Sequence, residues 1–92
     1  MACVQSESRV ALGFGYRVSF SFTVAGAKEI WSAPTDSHGC AMVSIPLRAG
    51  ASRVRLERVD GPDGNDRTVV DNVSPLSLVE GSQVNLKIRI WE

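Results

Sequence analysis

The stretch VALGFGYRVSFSFTV, residues 10–24, places Val10, Leu12, Phe14, Tyr16, Val18, Phe20, Phe22 and Val24 at even positions, with Ala11, Gly13, Gly15, Arg17, Ser19, Ser21 and Thr23 between them. Successive side chains of an extended chain point to opposite faces, so this spacing gathers the large apolar groups on one side; a helix would scatter them. At about 3.3 Å per residue the stretch would run roughly 50 Å, beyond an ordinary strand. It therefore predicts two strands joined near Gly13 and Gly15, where missing side chains permit a bulge or a passage between sheets.

Outward from that stretch, Ala25-Gly26-Ala27 reads as a turn into a short edge strand around Ile30 and Trp31 that stops at Pro34. Thr35-Asp36-Ser37-His38-Gly39 is a cluster of turn formers leading into Ala41, Val43, Ile45 and Leu47. Arg48-Ala49-Gly50-Ala51 turns the chain into Val54 and Leu56, which alternate with Arg53, Arg55 and Glu57, and the parity break at Val59 predicts a bulge near Arg58. Asp60 to Asp66 is the longest loop signal, followed by strands over Thr68–Val73 and Leu76–Val79. Glu80-Gly81-Ser82 then turns into a second clean alternation, Val84, Leu86, Ile88 and Ile90 inward against Gln83, Asn85, Lys87 and Arg89. The pattern predicts an all-β fold, an antiparallel β-sandwich of about seven strands with a small β-barrel as the alternative, in which the two alternating terminal stretches pair.

Ninety-two residues suffice for one domain, residues 1–92, with the polar residues 1–8 expected to be frayed. Ten basic residues balance ten acidic ones, which removes any overall field for nucleic acid or an anionic membrane. No apolar run approaches the roughly 18 residues of a spanning helix. Compartment stays open, with an extracytoplasmic setting favoured over the cytoplasm on the view that a signal peptide need not be part of this sequence. Cys3 and Cys40 fit one disulfide closing a long loop and equally fit two free thiols.

The run Thr35 to Gly39, the alternating strand through Ile45-Pro46-Leu47, and Gly50 followed by Val54 and Leu56 resemble the transthyretin-like group, which includes carboxypeptidase regulatory-like modules and collagen-adhesin repeats. The similarity covers about a third of the chain and lacks the tyrosine usual after the glycine turn. It implies a β-sandwich serving as a non-catalytic accessory module. The isopeptide bond of some adhesin repeats would have only Lys28, Asn85 and Glu57 to draw on here, in surroundings that do not match.

Each candidate site has a plain structural counterpart. His38 and Cys40 share a face at strand spacing, as a thiol and its activating base require, but a turn histidine beside a core cysteine accounts for them as well. Cys3, Cys40, His38 and Asp36 give one close pair where structural zinc sites show two. Asp60, Asp63, Asn65 and Asp66, with Asp71 beyond, offer oxygen ligands to calcium, without the EF-hand spacing and in a composition equally typical of a solvated turn. Arg53 and Arg55 on one strand, and Lys87, Arg89 and Trp91 on another, would make a basic aromatic patch if the strands were adjacent. Trp31 and Trp91 are expected to be exposed, Trp31 because Ile30 is read as facing inward.

No serine–histidine–aspartate arrangement, phosphate-binding glycine loop or metal quartet appears, and a single histidine limits acid–base chemistry near neutral pH. The sequence thus indicates a non-enzymatic module that binds a protein partner or self-associates, using Trp31, Trp91, Arg53, Arg55, Lys87 and Arg89. The alternative is a carbohydrate-binding module using an exposed tryptophan, with calcium at the Asp60 to Asp66 loop as its candidate cofactor.

Overall fold

A computed structural model describes residues 1–24, 26–44, 52–71, 73–78, 81 and 83–91. They form β1 (Ala2–Ser6), β2 (Arg17–Val24), β3 (Ala27–Pro34), β4 (Cys40–Ala41), β5 (Ser52–Asp60), β6 (Asp66–Arg67), β7 (Leu76–Leu78) and β8 (Leu86–Ile90). One sheet has the order β4-β1-β8; the other runs β3-β2-β5-β6, with β7 also paired to β5. Two separate sheets stacked around one core make the chain a β-sandwich and not a closed barrel.

The core follows directly from the alternation. Val18, Phe20 and Phe22 from β2 and Val54 and Val59 from β5 face Val4 of β1 and Ile88 and Ile90 of β8, all buried. Each such apolar side chain contributes about 1.5–3 kcal/mol by leaving water, which makes this inward row the main stabiliser of the domain. The predicted bulge is present. Ser19 pairs with Arg58 but Phe20 pairs with Leu56, so Glu57 is the extra residue that lets Leu56 and Val59 both face inward.

The N-terminal half of the long alternation does not form a strand. Gly15 adopts φ +98°, a left-handed conformation that ends an extended chain, and Val10 and Phe14 are 61% and 71% exposed. Val10 instead closes a turn in which Ser6 N donates to Val10 O (2.9 Å), and Leu12 N donates to Val4 O (3.1 Å). Buried Thr35 ties this segment down: its hydroxyl donates to Gly13 O (2.9 Å) and accepts from Tyr16 N (3.2 Å).

Residues 2–6, expected to fray, are the central strand of the smaller sheet. β1 pairs with β8 in parallel from Ala2↔Leu86 to Ser6↔Ile90, the one parallel pairing among the described strands. The terminal alternation ending at Ile90 therefore pairs with the N-terminal strand and not with β2. Two other expectations are shortened. β4 spans only Cys40–Ala41, with Ile45 to Ala51 outside the described residues. The strand expected over Thr68–Val73 reduces to an isolated bridge, Val69↔Ile90, after β6. Val79, Glu80 and Ser82 also lie outside the described residues.

The β2–β3 hairpin keeps one register throughout, from Val24↔Ala27 to Arg17↔Pro34. One step further on, Thr35 N donates to Tyr16 O (2.8 Å). Hydrogen-bonded and non-hydrogen-bonded pairs alternate in an antiparallel ladder, so Ala27, Glu29, Trp31 and Ala33 bond to β2. The backbone groups of Lys28, Ile30 and Ser32 consequently point to the open edge.

Candidate functional site

The sequence-derived patch is divided by the fold. Arg53 and Arg55 lie on the outer face of the larger sheet, whereas Lys87 and Arg89 pair across β1 with Cys3 and Gln5 on the outer face of the smaller one. These are opposite sides of the sandwich, so the four cations do not form one surface. Arg89 is moreover occupied. Its Nε and Nη2 each donate to Asp71 at 2.7 Å, and its Nη1 donates to Glu7 O at 3.0 Å. The paired guanidinium holds the Asp71 carboxyl below the usual range, and the Asp71 carboxylate in turn raises Arg89. Arg89 is a cross-link between loops.

Trp91 follows β8, donates its backbone N–H to Thr68 O (2.9 Å) and is 54% exposed. Trp31 is 37% exposed, as expected, but for a different reason. It stands opposite Phe20, a core residue, so it belongs to the core-facing side of the sheet, and Ile30 is on the outer side beside Ser21. The inward placement of Ile30 is thus overturned by the hairpin register. Trp31 remains in solvent because β3 is the edge strand, and Ile30 is 58% exposed next to it. The Trp31 indole N–H donates to Glu29 at 3.4 Å.

The acidic loop is internally bonded. Arg67 Nη1 donates to Asp63 (2.9 Å) and to Asn65 O (3.0 Å), and Asn65 N also donates to Asp63 (3.0 Å). That backbone donor, followed by Arg67, holds the Asp63 carboxyl below its usual range. Asp60 accepts from Arg58 (3.2 Å). Among the described residues no three acidic, cysteine or histidine groups converge on one point. The carboxylates expected as calcium ligands act here as acceptors for arginine and backbone N–H groups, while Asp66 is exposed.

Cys3 and Cys40 are bonded to each other, directly opposed on β1 and β4. That overturns both the thiol–imidazole reading of Cys40 with His38 and the zinc reading of Cys3, Cys40 and His38, because neither sulfur is a free thiolate. Asp36 shapes the turn by accepting from His38 N (2.8 Å) and Cys40 N (3.0 Å), and the Cys40 and His38 donors lower its carboxyl.

Sequence reasoning did not identify Ile30 or Lys28 as surface determinants. On the outer face of the larger sheet Lys28 donates to Glu57 at 2.7 Å, and Lys28 and Ser21 together hold that carboxyl low. A shallow concavity of about 480 Å³ there is lined by Ser21, Thr23, Lys28, Arg53, Arg55 and Glu57. A second, more apolar opening of about 540 Å³ between the sheets includes Phe20, Met42, Val54, Leu76 and Leu86.

The fold and surfaces define a disulfide-linked β-sandwich. No family model, curated protein or solved structure matches this chain, and the transthyretin-like resemblance of residues 35–56 bears no weight in the functional reading. Among the described residues no helix is long and apolar enough to cross a membrane.

Proposed function

We propose that the chain is a non-catalytic assembly module that pairs with a second copy of itself along β3. The observation that carries this reading is an edge strand of eight residues, all exposed except Ala33, with a row of backbone donors and acceptors open to solvent and Ile30 and Trp31 beside it. A long, open, apolar edge is a template for another strand unless it is blocked by charge, proline or a bulge. The charged and proline positions of β3 are Lys28, Glu29 and Pro34, and Ile30, Trp31, Ser32 and Ala33 between them are uncharged.

The strand is complementary to itself. A two-fold antiparallel pairing centred on Ile30 uses the outward groups of Lys28, Ile30 and Ser32 in both copies. It sets Ile30 against Ile30, Lys28 against Ser32 and Glu29 against Trp31, so no like charges meet. The Cys3–Cys40 disulfide supports a working place in an oxidising compartment.

Light scattering over a concentration series tests the proposal together with Ile30→Pro. The wild type should move from monomer to dimer as concentration rises, and the variant should stay monomeric with unchanged circular dichroism. A wild type that is monomeric at millimolar concentration, or a variant that dimerises equally well, would reject β3 as the assembly edge.

A further inference from the structure

The outer face of the larger sheet concentrates positive charge that the rest of the chain balances. Strand pairing sets Lys28 of β3 beside Thr23 of β2 and Arg53 of β5 beside Ser77 of β7, one step beyond the last β2–β5 pair Phe22↔Val54, with Ile30, Ser21 and Arg55 in the neighbouring row; Lys28, Thr23 and Arg53 line one concavity. Arg17 and Arg58 continue the same face; Asp66 of β6 pairs with Asp60 at its far end and Glu29 of β3 is on the core-facing side, so the carboxylates that β5 itself sets among these cations are Glu57 and Asp60. Both of those carboxylates are taken, Glu57 by Lys28 and Asp60 by Arg58. Arg17 donates to Ser32 at 2.9 Å. Arg53 and Arg55 have no side-chain partner among the described residues, and both are exposed.

These two guanidinium groups, on alternate residues of one strand, stand about 6.6 Å apart along the backbone and repel each other. They rim a concavity whose other walls are the Ser21 and Thr23 positions and the Lys28–Glu57 pair. Guanidinium forks match the oxygens of sulfate and phosphate esters, and each can take two oxygens of one group. From these observations we infer that Arg53 and Arg55, flanked by Lys28 and Thr23, form a binding site for a sulfated polysaccharide.

The choice of polyanion follows from the surface around the arginines. Proteins that hold single-stranded nucleic acid stack its bases on aromatic rings, and the outward rows of β2, β3, β5 and β7 carry none; Trp31 belongs to the other face. The disulfide fits an oxidising compartment, which separates the chain from the nucleic acids of the cytosol and nucleus. This site uses side chains of the sheet face, and its occupation does not depend on strand pairing at the β3 edge.

Heparin is the probe, with retention on a heparin column and titration calorimetry against a heparin oligosaccharide as readouts. The wild type should bind at about 0.15 M salt, and Arg53→Ser/Arg55→Ser should weaken binding at least tenfold. The double variant should also lower the slope of log affinity against log salt by about two, one for each cation removed. Lys87→Ser, on the opposite sheet, should bind as the wild type does, and circular dichroism shows whether each variant is folded. Failure of the wild type to bind, or a double variant of unchanged affinity and slope, would overturn the site. Equal affinity for oligo(dT) of matched charge would overturn the assignment to a sulfated glycan.

Discussion

Cys3 stands directly opposite Cys40 at the β1–β4 pairing, and the bond between them closes a loop with a sequence separation of 37 on the outer face of the smaller sheet. A cross-link of that span removes unfolded-chain entropy worth about 4 kcal/mol. Cys3→Ser and Cys40→Ser should each lose about that much stability in urea unfolding, and the double variant should lose no more than either single one. Additive losses would mean that each cysteine contributes by packing and not through the shared bond.

Gly39 and Gly26 have similar positive φ, +78° and +82°, but different surroundings. A Cβ at Gly39 would run into the Leu12 carbonyl, whereas at Gly26 it would meet nothing within 4 Å. Gly26→Ala should cost only the roughly 1–2 kcal/mol of a left-handed alanine. Gly39→Ala should cost clearly more, because the segment carrying Leu12 must also move. Chemical denaturation of the two variants side by side checks the ordering.

Much of this fold is legible in single residues. Val18, Phe20 and Phe22, and Leu86, Ile88 and Ile90, announce strands because a half-buried sheet requires their spacing, and the parity break at Val59 announces the bulge at Glu57. β1 is not legible in the same way. Ala2, Val4 and Ser6 are small, and their burial is a consequence of lying beside Leu86, Ile88 and Ile90, a pairing between chain ends that local pattern does not encode. The side of Trp31 was within reach: counting the ladder from Val24↔Ala27 sets Phe20 opposite Trp31, and register fixes the face. The separation of Arg53 from Lys87 was not, since each strand's alternation is satisfied in either sheet.

Among the described residues four carboxylates are held below their usual range. The cause is paired backbone donors at Asp36, Lys28 and Ser21 at Glu57, Asn65 N–H and Arg67 at Asp63, and Arg89 at Asp71. A carboxyl with a lower pKa in the folded state stabilises the fold above its unfolded value near pH 4, and that contribution is lost as pH falls through the folded value. The urea midpoint should therefore change little from pH 7 to pH 5 and fall below about pH 4. Asp71→Asn should reduce the acid-side slope, because the Arg89 contact then no longer titrates. An identical slope in the variant would assign the acid sensitivity to the other three groups.

Adjacent prolines on β3 separate the two sides of its backbone. The Ile30 N–H faces the open edge, so Ile30→Pro removes no bond to β2, and proline is tolerated at such edge positions. Trp31 bonds to Phe20, and Trp31→Pro deletes a ladder donor and leaves its acceptor beside a buried core residue. The second variant should lose roughly 1–3 kcal/mol for the unsatisfied group, and the first should stay within about 1 kcal/mol of the wild type. Thermal or urea unfolding gives the comparison. A larger loss in Ile30→Pro than in Trp31→Pro would show that the ladder parity is shifted by one residue, and with it the set of backbone groups that β3 offers to a second copy.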